Sequence, residues 1–378
     1  MKKYLLKIGS YILVAALSAA LTLHWMPDSS KLGQLEALIE ERFIGQADQT
    51  ELLDAAAVAM VKATGDRWSY YMSAKEYESY LDQVNNSYVG IGVTIQLEED
   101  EGYRILEVAS GGPAEEAGLR VGDLLFEVDG QDVRKMDISS VRDLVKGKAG
   151  TSVKLRILRK GEAQSFSVER RKVQTPVATC EMLEKNVGLV TIENFDARCA
   201  EESITAIESL REQGAEAIIF DVRNNPGGYA DELVELLDYL LPEGDLFRTV
   251  RYDGKEHVDT SDNRFLDMPM AVLVNGSSYS AAEFFAAALR EYEAAIVIGQ
   301  QTVGKGYFQT TYPLNDGSAV ALSIGKYYTP DGINLSEAGG LTPDRIIEMD
   351  EETAAALYYG TLSRNEDPHI QAAIKSLS

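Results

Sequence analysis

The chain has 378 residues, which is long enough for two or three domains. Its composition is that of an ordinary globular protein, so disorder throughout the chain is excluded. The formal net charge is −24 and no lysine- or arginine-rich block interrupts it, which excludes nucleic-acid binding.

The N-terminus begins with lysines at three of its first seven positions, followed by the apolar run GSYILVAALSAALTLHWM. That run is about long enough to span a hydrocarbon core of roughly 30 Å. Positive charge before it places the rest of the chain outside the cytoplasm. Residues 1–28 are therefore predicted to be an uncleaved single-pass anchor in a bacterial cell membrane, with Trp25 at the interface. A signal peptide cleaved near Ser18-Ala19-Ala20, giving a secreted form, is the open alternative.

Helical patterns occupy both ends of the remaining chain. Apolar residues recur at three- and four-residue spacing through residues 29–86, and Ser73 with Glu76 forms a capping box. The stretch DEETAAALYYGTL predicts a helical segment over residues 351–378. These two helical regions are candidate interfaces for a homodimer, although amphipathic helices often simply cover a core.

Residues 87–174 have a different pattern, in which short β-rich runs alternate with glycine turns. The runs are GIGVTIQL, YRILEVA, DLLFEVDG, SVKLRIL and QSFSVER, with one short helix, ISSVRDLVKG, among them. This pattern predicts a compact β-rich module.

Residues 175–350 alternate strands with helices. Apolar runs such as AEAIIFDV, MAVLVNG and AAIVIG predict buried strands, and YADELVELLDYLL and SAAEFFAAALREYE predict helices between them. Such alternation indicates parallel pairing through crossover connections. The fold class predicted for the chain is a multidomain α+β protein with a mixed α/β core.

The frame Gly299-x-x-x-x-Gly304-Lys305 resembles a phosphate-binding loop. That motif needs a serine or threonine after the lysine and then a helix whose N-terminus faces the phosphates. Gly306 has no hydroxyl, and YFQTTYPL has the composition of a strand. A nucleotide site is therefore rejected.

A nucleophile is suggested where a strand passes into a helix, in VNGSSYSAAEFF. Ser277, Ser278 and Ser280 lie there, and the positive end of a helix dipole favours a developing anion. Serine is also the ordinary helix N-cap residue, which explains one of the three. Pro226-Gly227-Gly228, at another strand-to-helix junction, leaves backbone N–H groups open to a ligand or simply forms a turn.

The base for such a serine is not an evident histidine. His24 lies in the apolar run, His257 in a polar loop and His369 near the C-terminus. Lysine is the known alternative, and to act as a base it must lose its proton through burial. Lys305, between two glycines, is the best candidate. If residues 305–309 form a strand, Lys305 shares a face with Tyr307 and Gln309; a surface lysine in a glycine turn is the other reading.

The two cysteines, Cys180 and Cys199, have no metal-ligand spacing. Outside the cytoplasm they can pair, but free small side chains are the favoured interpretation. Neither a metal nor a cofactor is expected.

Four stretches carry a family resemblance: FDVRNNPGG, NGSSYSAAEFFAAAL, IVIGQQTVGKGYFQ and YYTPDGINLSEAGGLTPD. Together and in this order they resemble the carboxy-terminal processing peptidases, the tail-specific Ser-Lys proteases of S41 type. The likeness covers nearly everything after the anchor. It implies a crotonase-like β-α protease core at residues 175–350.

The resemblance also implies site residues. The middle serine of the family's Ser-x-Ser-x-(Ser/Ala)-Glu run corresponds to Ser280, the nucleophile, and its Gly-Lys-Gly lysine to Lys305, the base. Gln309 corresponds to the glutamine that orients the lysine. The oxyanion donors correspond to the N–H of Ala281 and that of Gly227 or Gly228. Tyr279 and Ala282 replace commoner small residues of the family without removing a catalytic group.

The β-rich module resembles a PDZ domain, which these proteases carry before the core. GGPAEEAGLRVGDLLFEVDG matches the middle of such domains, and Gly90-Ile91-Gly92-Val93 corresponds to the loop whose N–H groups bind a terminal carboxylate. Family members often have an arginine near the end of the PDZ helix that couples ligand binding to the active site. Lys146 stands there instead, so that coupling is not expected to carry over unchanged.

The sequence therefore predicts a serine endopeptidase that faces outward from the cell and recognises protein substrates by their C-terminal tails. A catalytically silent PDZ adaptor on the same fold, or a protease gated by a partner, is the alternative function. The substrate itself is not determined.

Overall fold

The computed structural model describes residues 30–98 and 100–377. The predicted anchor, residues 1–28, and His24 lie outside the described residues. The chain divides into two compact units: one contains the residues up to Ala74 together with Thr311–Leu322, and the other contains Lys75–Thr310 and Ser323–Ser378. In the part of the chain that the structure describes, every helix is too short or too polar to cross a membrane.

The first unit contains two of the predicted helices and one strand that the sequence did not predict. These are α1 (Lys31–Arg42), α2 (Gln49–Lys62) and β1 (Tyr70–Met72). Ser30 and Asp48 cap the two helices by accepting hydrogen bonds from backbone N–H groups. β1 pairs antiparallel with residues 319–321.

The β-rich module follows in the second unit. Its elements, with the helix that precedes them, are α3 (Ala74–Val84), β2 (Ser87–Gly90), β3 (Val93–Glu98), β4 (Gly102–Val108), α4 (Pro113–Glu116), β5 (Leu124–Val128), β6 (Gln131–Asp132), α5 (Ile138–Val145), β7 (Ser152–Arg159), β8 (Glu162–Glu169) and β9 (Arg171–Gln174). A β3-β4-β5-β7-β8 sheet, with β6 paired to β5, encloses its own apolar core around Tyr103 and Leu125. β2 and β9 pair as a two-stranded ribbon that carries the chain into and out of the module.

The largest part of the second unit is built on a six-stranded sheet. Its elements are β10 (Ala178–Met182), β11 (Val187–Ile192), α6 (Cys199–Glu212), β12 (Ala217–Asp221), α7 (Ala230–Leu240), β13 (Gly244–Arg251), β14 (Glu256–Ser261), β15 (Met270–Val274), α8 (Ala281–Glu291), β16 (Ala295–Gly299), β17 (Tyr307–Pro313), β18 (Ala319–Tyr328), α9 (Leu335–Ala338), β19 (Arg345–Ile346), α10 (Glu351–Tyr358) and α11 (Pro368–Ser376). The sheet order is β10-β11-β12-β15-β16-β19. The pairs from β11 to β19 are parallel, as predicted, and β10 is antiparallel.

Alternate residues of the sheet strands face opposite helical layers. Val190, Phe220 and Val272 pack with α6, α7 and α8, whereas Leu189 and Ile219 pack with α11. Nine successive residues of α8, from Ala281 to Leu289, are buried. The mixed α/β multidomain fold is therefore confirmed, and α8 is a central helix with its N-terminus at the carboxyl end of β15.

A second sheet lies beside this core and includes β13, β14, β17 and β18. β17 begins at Tyr307, so the condition under which Lys305 would share a strand face with Gln309 is not met. Lys305 belongs to the extended loop before this strand. Hydrogen bonds from the loop to a buried carboxylate on α8 hold the loop in place. These long-range bonds, rather than a strand ladder, satisfy the backbone N–H groups of Gly304 and Lys305.

Candidate active site

Ser280 occupies the sharp turn between β15 and α8. Its backbone has φ 59° and ψ −127°, a conformation that residues other than glycine rarely adopt. The residue is the N-cap of α8, so its side chain lies at the positive end of a buried helix dipole. The serine is 8% exposed. This strained, fixed turn presents one hydroxyl to the site.

The hydroxyl of Ser280 contacts a tyrosine rather than a histidine. Its Oγ lies 3.0 Å from Oη of Tyr327 on β18. The ring of His257 is exposed and lies 3.0 Å from Asp259, and the buried ring of His369 lies 2.8 Å from the carbonyl of Ile347. Both rings are thus engaged away from the serine.

Glu283, on the first turn of α8, fastens the serine and lysine segments together. Its Oε2 accepts hydrogen bonds from the backbone N–H of Ser280 and of Lys305, each at 2.9 Å. Its Oε1 accepts from Gly304 N at 2.7 Å and from the Thr302 hydroxyl. Burial raises the pKa of Glu283 above that of an ordinary glutamate, while these donors act in the opposite direction. One buried carboxyl group therefore sets the backbone positions of both predicted catalytic residues.

Lys305 is half-buried in the loop before β17, and its Nζ lies 5.9 Å from the ring centroid of Tyr279. That ring belongs to the residue directly before Ser280. The amide of Gln309 donates instead to Ser323 Oγ, at 3.0 Å, and to Tyr307 O, at 3.1 Å. The structure thus places the lysine at the serine turn and directs the glutamine side chain toward β18.

Gly227 packs against the Ser280 turn, and Gly228 packs against the backbone of Phe195 and Asp196. A Cβ on Gly227 would lie 2.7 Å from Ser280 Cβ and 2.8 Å from Ala281 N, and both glycines have positive φ, so larger residues are excluded. The N–H of Gly227 already donates to Asn225 Oδ1, at 2.8 Å. Of the two glycines that the sequence left open, Gly227 therefore has its N–H bonded within its own loop.

Hydrogen bonds and ion pairs on both sides fix the position of the loop that contains Gly227 and Gly228. The Asn225 amide donates to Ile192 O at 2.8 Å, and Tyr279 N donates to Asn225 O at 3.1 Å. Arg223 is buried and pairs with Asp221, at 2.6 Å, and with Asp367, at 2.8 Å. Asp367 also caps α11. The glycine loop is thereby joined to the nucleophile turn and to the C-terminal helix.

Asp196 is a buried residue whose backbone lies against Gly228. A Cβ on Gly228 would come within 2.5 Å of Asp196 N, and Asp196 is 7% exposed. Burial, and to a smaller extent the negative charge of Glu232, together raise the pKa of Asp196 to about 7.

We expect this carboxyl group to make stability depend on pH. The native protein holds its proton up to pH about 7, whereas the unfolded chain releases it near pH 4, at roughly the ordinary aspartate pKa. The native state therefore binds more protons between these values, and the free energy of unfolding falls as pH rises through this window. Relative to the Asp196→Asn variant, the wild type should lose about 2 kcal/mol of unfolding free energy between pH 5 and pH 8, allowing for relaxation around the charge. Urea unfolding of both proteins at both pH values measures this loss, and a constant difference between them would contradict the assignment.

The predicted carboxylate-binding loop lies between β2 and β3. The carbonyls of Ile91 and Gly92 accept hydrogen bonds from Ala114 N and Ala109 N, both at 2.9 Å. Burial raises the pKa of Tyr88, while the nearby backbone of Gly92 acts in the opposite direction. Lys146 lies over the same ring, with its Nζ 6.0 Å from the ring centroid.

Neither cysteine is in a disulfide, since Cys180 is exposed and free and Cys199 is buried and free. Burial raises the pKa of the Cys199 thiol. Across residues 30–98 and 100–377 there is no cluster of three histidine, cysteine or acidic side chains arranged to hold a metal ion.

Sequence reasoning missed three residues of the site. Glu283 carried a local signal, because Ser280-Ala281-Ala282-Glu283 has the spacing of a capping box. Tyr327, which is 47 residues beyond Ser280, and Asp196 carried none, because only the packing of separate segments brings them to the turn.

Comparison with known proteins gives two family matches. The model of peptidase family S41 matches residues 186–347, and a PDZ-domain model matches residues 104–159. The carboxy-terminal processing protease CtpA of Bacillus subtilis is 32% identical over 90% of this chain and 76% of its own length. A probable CtpA-like serine protease of Staphylococcus haemolyticus is 36% identical over 78% of this chain and 60% of its own length.

Solved structures show the same fold. A photosystem II D1 C-terminal processing protease has a TM-score of 0.50 at 25% identity, covering 91% of this chain and 93% of its own. A Bacteroides fragilis protein described as an S41 protease has a TM-score of 0.56 at 18% identity, covering 93% and 97%. The second likeness concerns the fold alone.

Proposed function

The chain belongs to peptidase family S41 as a serine-type carboxy-terminal processing peptidase with a PDZ domain, and from this premise we propose which residues act and on what. Ser280 is the nucleophile and Lys305 is its base. The observation that carries the assignment is the Glu283 carboxylate, whose Oε2 accepts the backbone N–H groups of both residues at 2.9 Å. Holding two reacting groups in fixed register removes much of the entropic cost of bringing them together.

The reaction follows from this geometry. Lys305, in its neutral form, accepts the proton of Ser280 Oγ as that oxygen attacks the peptide carbonyl carbon. The oxygen of the tetrahedral intermediate accepts hydrogen bonds from Ala281 N–H and Gly228 N–H. The lysine returns the proton to the leaving amine, and water then hydrolyses the acyl-enzyme with the lysine again as base.

Gly227 and Gln309 take supporting roles in this proposal. The Gly227 N–H stays with Asn225, and its lack of a side chain lets the loop approach Ser280. The side-chain amide of Gln309 donates to Ser323 Oγ. For Gln309 to orient Lys305, this amide would have to break its hydrogen bond with Ser323.

The substrate is proposed to be a protein tail captured by its C-terminus. An extended peptide would add to a strand edge of the PDZ domain, with its terminal carboxylate at residues 90–93. The charge of Lys146, whose Nζ lies 6.0 Å from the ring centroid of Tyr88, is near this loop and would attract the carboxylate.

A matched pair of substrates tests this function. Purified enzyme is given one unfolded polypeptide with a free C-terminus and the same polypeptide with a C-terminal amide, and fragments are identified by mass spectrometry. We expect endoproteolysis of both, with kcat/KM at least about 10-fold higher for the free terminus, as expected for a lost charge-assisted contact. Equal rates would rule out tail capture, and absence of cleavage would rule out the peptidase.

We also propose that the catalytic region faces outward from a bacterial membrane and is held by residues 1–28. The support is the apolar run behind three lysines. Two measurements check this: the chain should sediment with membranes after alkaline washing, and protease added to intact cells should digest it.

We also propose a homodimer through α1 and α2. The support is that neither helix buries a residue, and light scattering measures the mass in solution.

A further inference from the structure

The contact between Tyr327 and the nucleophile has no role in the reaction described so far. Tyr327 Oη lies 3.0 Å from Ser280 Oγ, and the two residues are 4% and 8% exposed. The hydroxyl thus touches the reacting atom in a site from which water is largely excluded.

Aromatic packing fixes the tyrosine ring. Phe284 of α8 meets it edge to face, with centroids 4.4 Å apart, and Phe247 of β13 lies 5.5 Å away. Phe308 of β17 stacks on it at 6.3 Å. Rings held on a helix and two strands leave the hydroxyl little freedom to move.

The backbone of Tyr327 is tied to the lysine loop. Its N–H donates to Gly306 O at 3.2 Å, and Asn334 Nδ2 bridges Gly306 O and Tyr327 O at 2.9 Å each. Gly306 directly follows Lys305. The phenol, the serine and the lysine therefore sit in one hydrogen-bonded frame.

Either hydroxyl can donate in this contact, and the relative acidity of the two groups favours the phenol as donor. Burial raises the pKa of Tyr327, so its hydroxyl stays protonated at any working pH. A phenol is a stronger acid than an aliphatic alcohol, and the alcohol oxygen is the better acceptor. Tyr327 O–H therefore donates to Ser280 Oγ, and the proton of the serine points elsewhere.

We propose that Tyr327 is a further catalytic residue, whose hydroxyl donates to Ser280 Oγ, fixes the orientation of the serine and stabilises the negative charge that gathers on Oγ as its proton leaves. In the attack the serine proton passes to Lys305 Nζ, the Oγ–C bond forms and the carbonyl electron pair moves to the oxyanion. Tyr327 keeps its own proton throughout. The inference rests on the proposed roles of Ser280 and Lys305.

Tyr327→Phe tests the inference by removing one oxygen and leaving the ring. We expect kcat to fall about 10- to 100-fold with KM within about twofold, as for loss of one donor to a group that becomes charged. Phosphonylation of Ser280 by a fluorophosphonate, which needs no PDZ capture, should slow by a similar factor. Tyr328→Phe, the same change at the next residue of β18, is the control and should behave as wild type.

A third variant separates chemistry from folding. Incorporating 3-fluorotyrosine at position 327 keeps the shape and the hydroxyl and makes the phenol more acidic. We expect it to retain wild-type activity or exceed it, with all rates corrected for the folded fraction from thermal melts. Loss of activity equal to that of Tyr327→Phe would overturn the proposal.

The outcomes also separate this inference from the proposed function. Cleavage by Ser280→Ala protein would remove the nucleophile assignment and this inference with it. An inactive Ser280→Ala protein beside a Tyr327→Phe protein as fast as wild type, or faster, would overturn the role of Tyr327 alone.

Discussion

Replacing Ser280 with alanine is expected to lower kcat at least about 10⁴-fold, because no other group can form the acyl-enzyme and only the oxyanion donors would remain. The fold should persist, since the serine backbone keeps its bond to Glu283 Oε2. Turnover of an unfolded protein substrate by purified enzyme, read by mass spectrometry, measures the loss.

Two neighbouring serines provide the controls for this substitution. Ser277 is exposed, so Ser277→Ala should keep wild-type kcat. Ser278 is buried, donates to Val222 O at 2.7 Å and accepts from Asn275 N at 3.0 Å. Ser278→Ala should cost about 1 to 3 kcal/mol of stability without comparable loss of kcat. If either control abolished turnover while Ser280→Ala did not, the nucleophile would be misassigned.

Replacing Arg223 with methionine is expected to cost about 3 to 5 kcal/mol of unfolding free energy, the usual penalty for removing one partner of a buried ion pair. The guanidinium bridges Asp221 and Asp367, and the side chains of all three are at most 8% exposed. Without it, two buried carboxylates would face each other unpaired. Burial and the two carboxylates act in opposite directions on the Arg223 pKa, and the net effect raises it.

The matched control for this second substitution is Arg264→Met. Arg264 also pairs with an aspartate, Asp262 at 2.7 Å, but its side chain is 87% exposed. Exposed pairs contribute little, so this change should cost less than about 1 kcal/mol. Urea unfolding of the two variants beside wild type gives the comparison. Equal midpoints for Arg223→Met and Arg264→Met would show that the buried triad does not hold α11 to the glycine loop.

Predictions that rest on local patterns agree with the structure. The parallel strands β12, β15 and β16 followed from continuous apolar runs, and α7 and α8 from apolar spacing of three and four residues. The serine turn and the glycine turn were visible because small residues cluster where strand patterns change to helical ones. These features depend on neighbours in sequence, where spacing alone decides which face is buried.

Sequence patterns were less informative about where individual side chains point and how deeply they are buried. A shared strand face for Lys305 and Gln309 required residues 305–309 to form a strand, yet β17 starts at Tyr307 and Gln309 turns toward Ser323. His369, which the sequence left beyond the last strand, is fully buried in α11.

The sequence by itself determined the family and its PDZ domain and singled out the serine and lysine proposed as catalytic, because these depend on residue order and spacing. Only the tertiary structure decided that Glu283 binds the serine and lysine segments, that the Gly227 N–H donates to Asn225, and that Tyr327 meets Ser280. The physical reason is that these contacts join segments from different strands and helices. Their geometry is set by sheet register and by helix packing, which no local run of residues encodes.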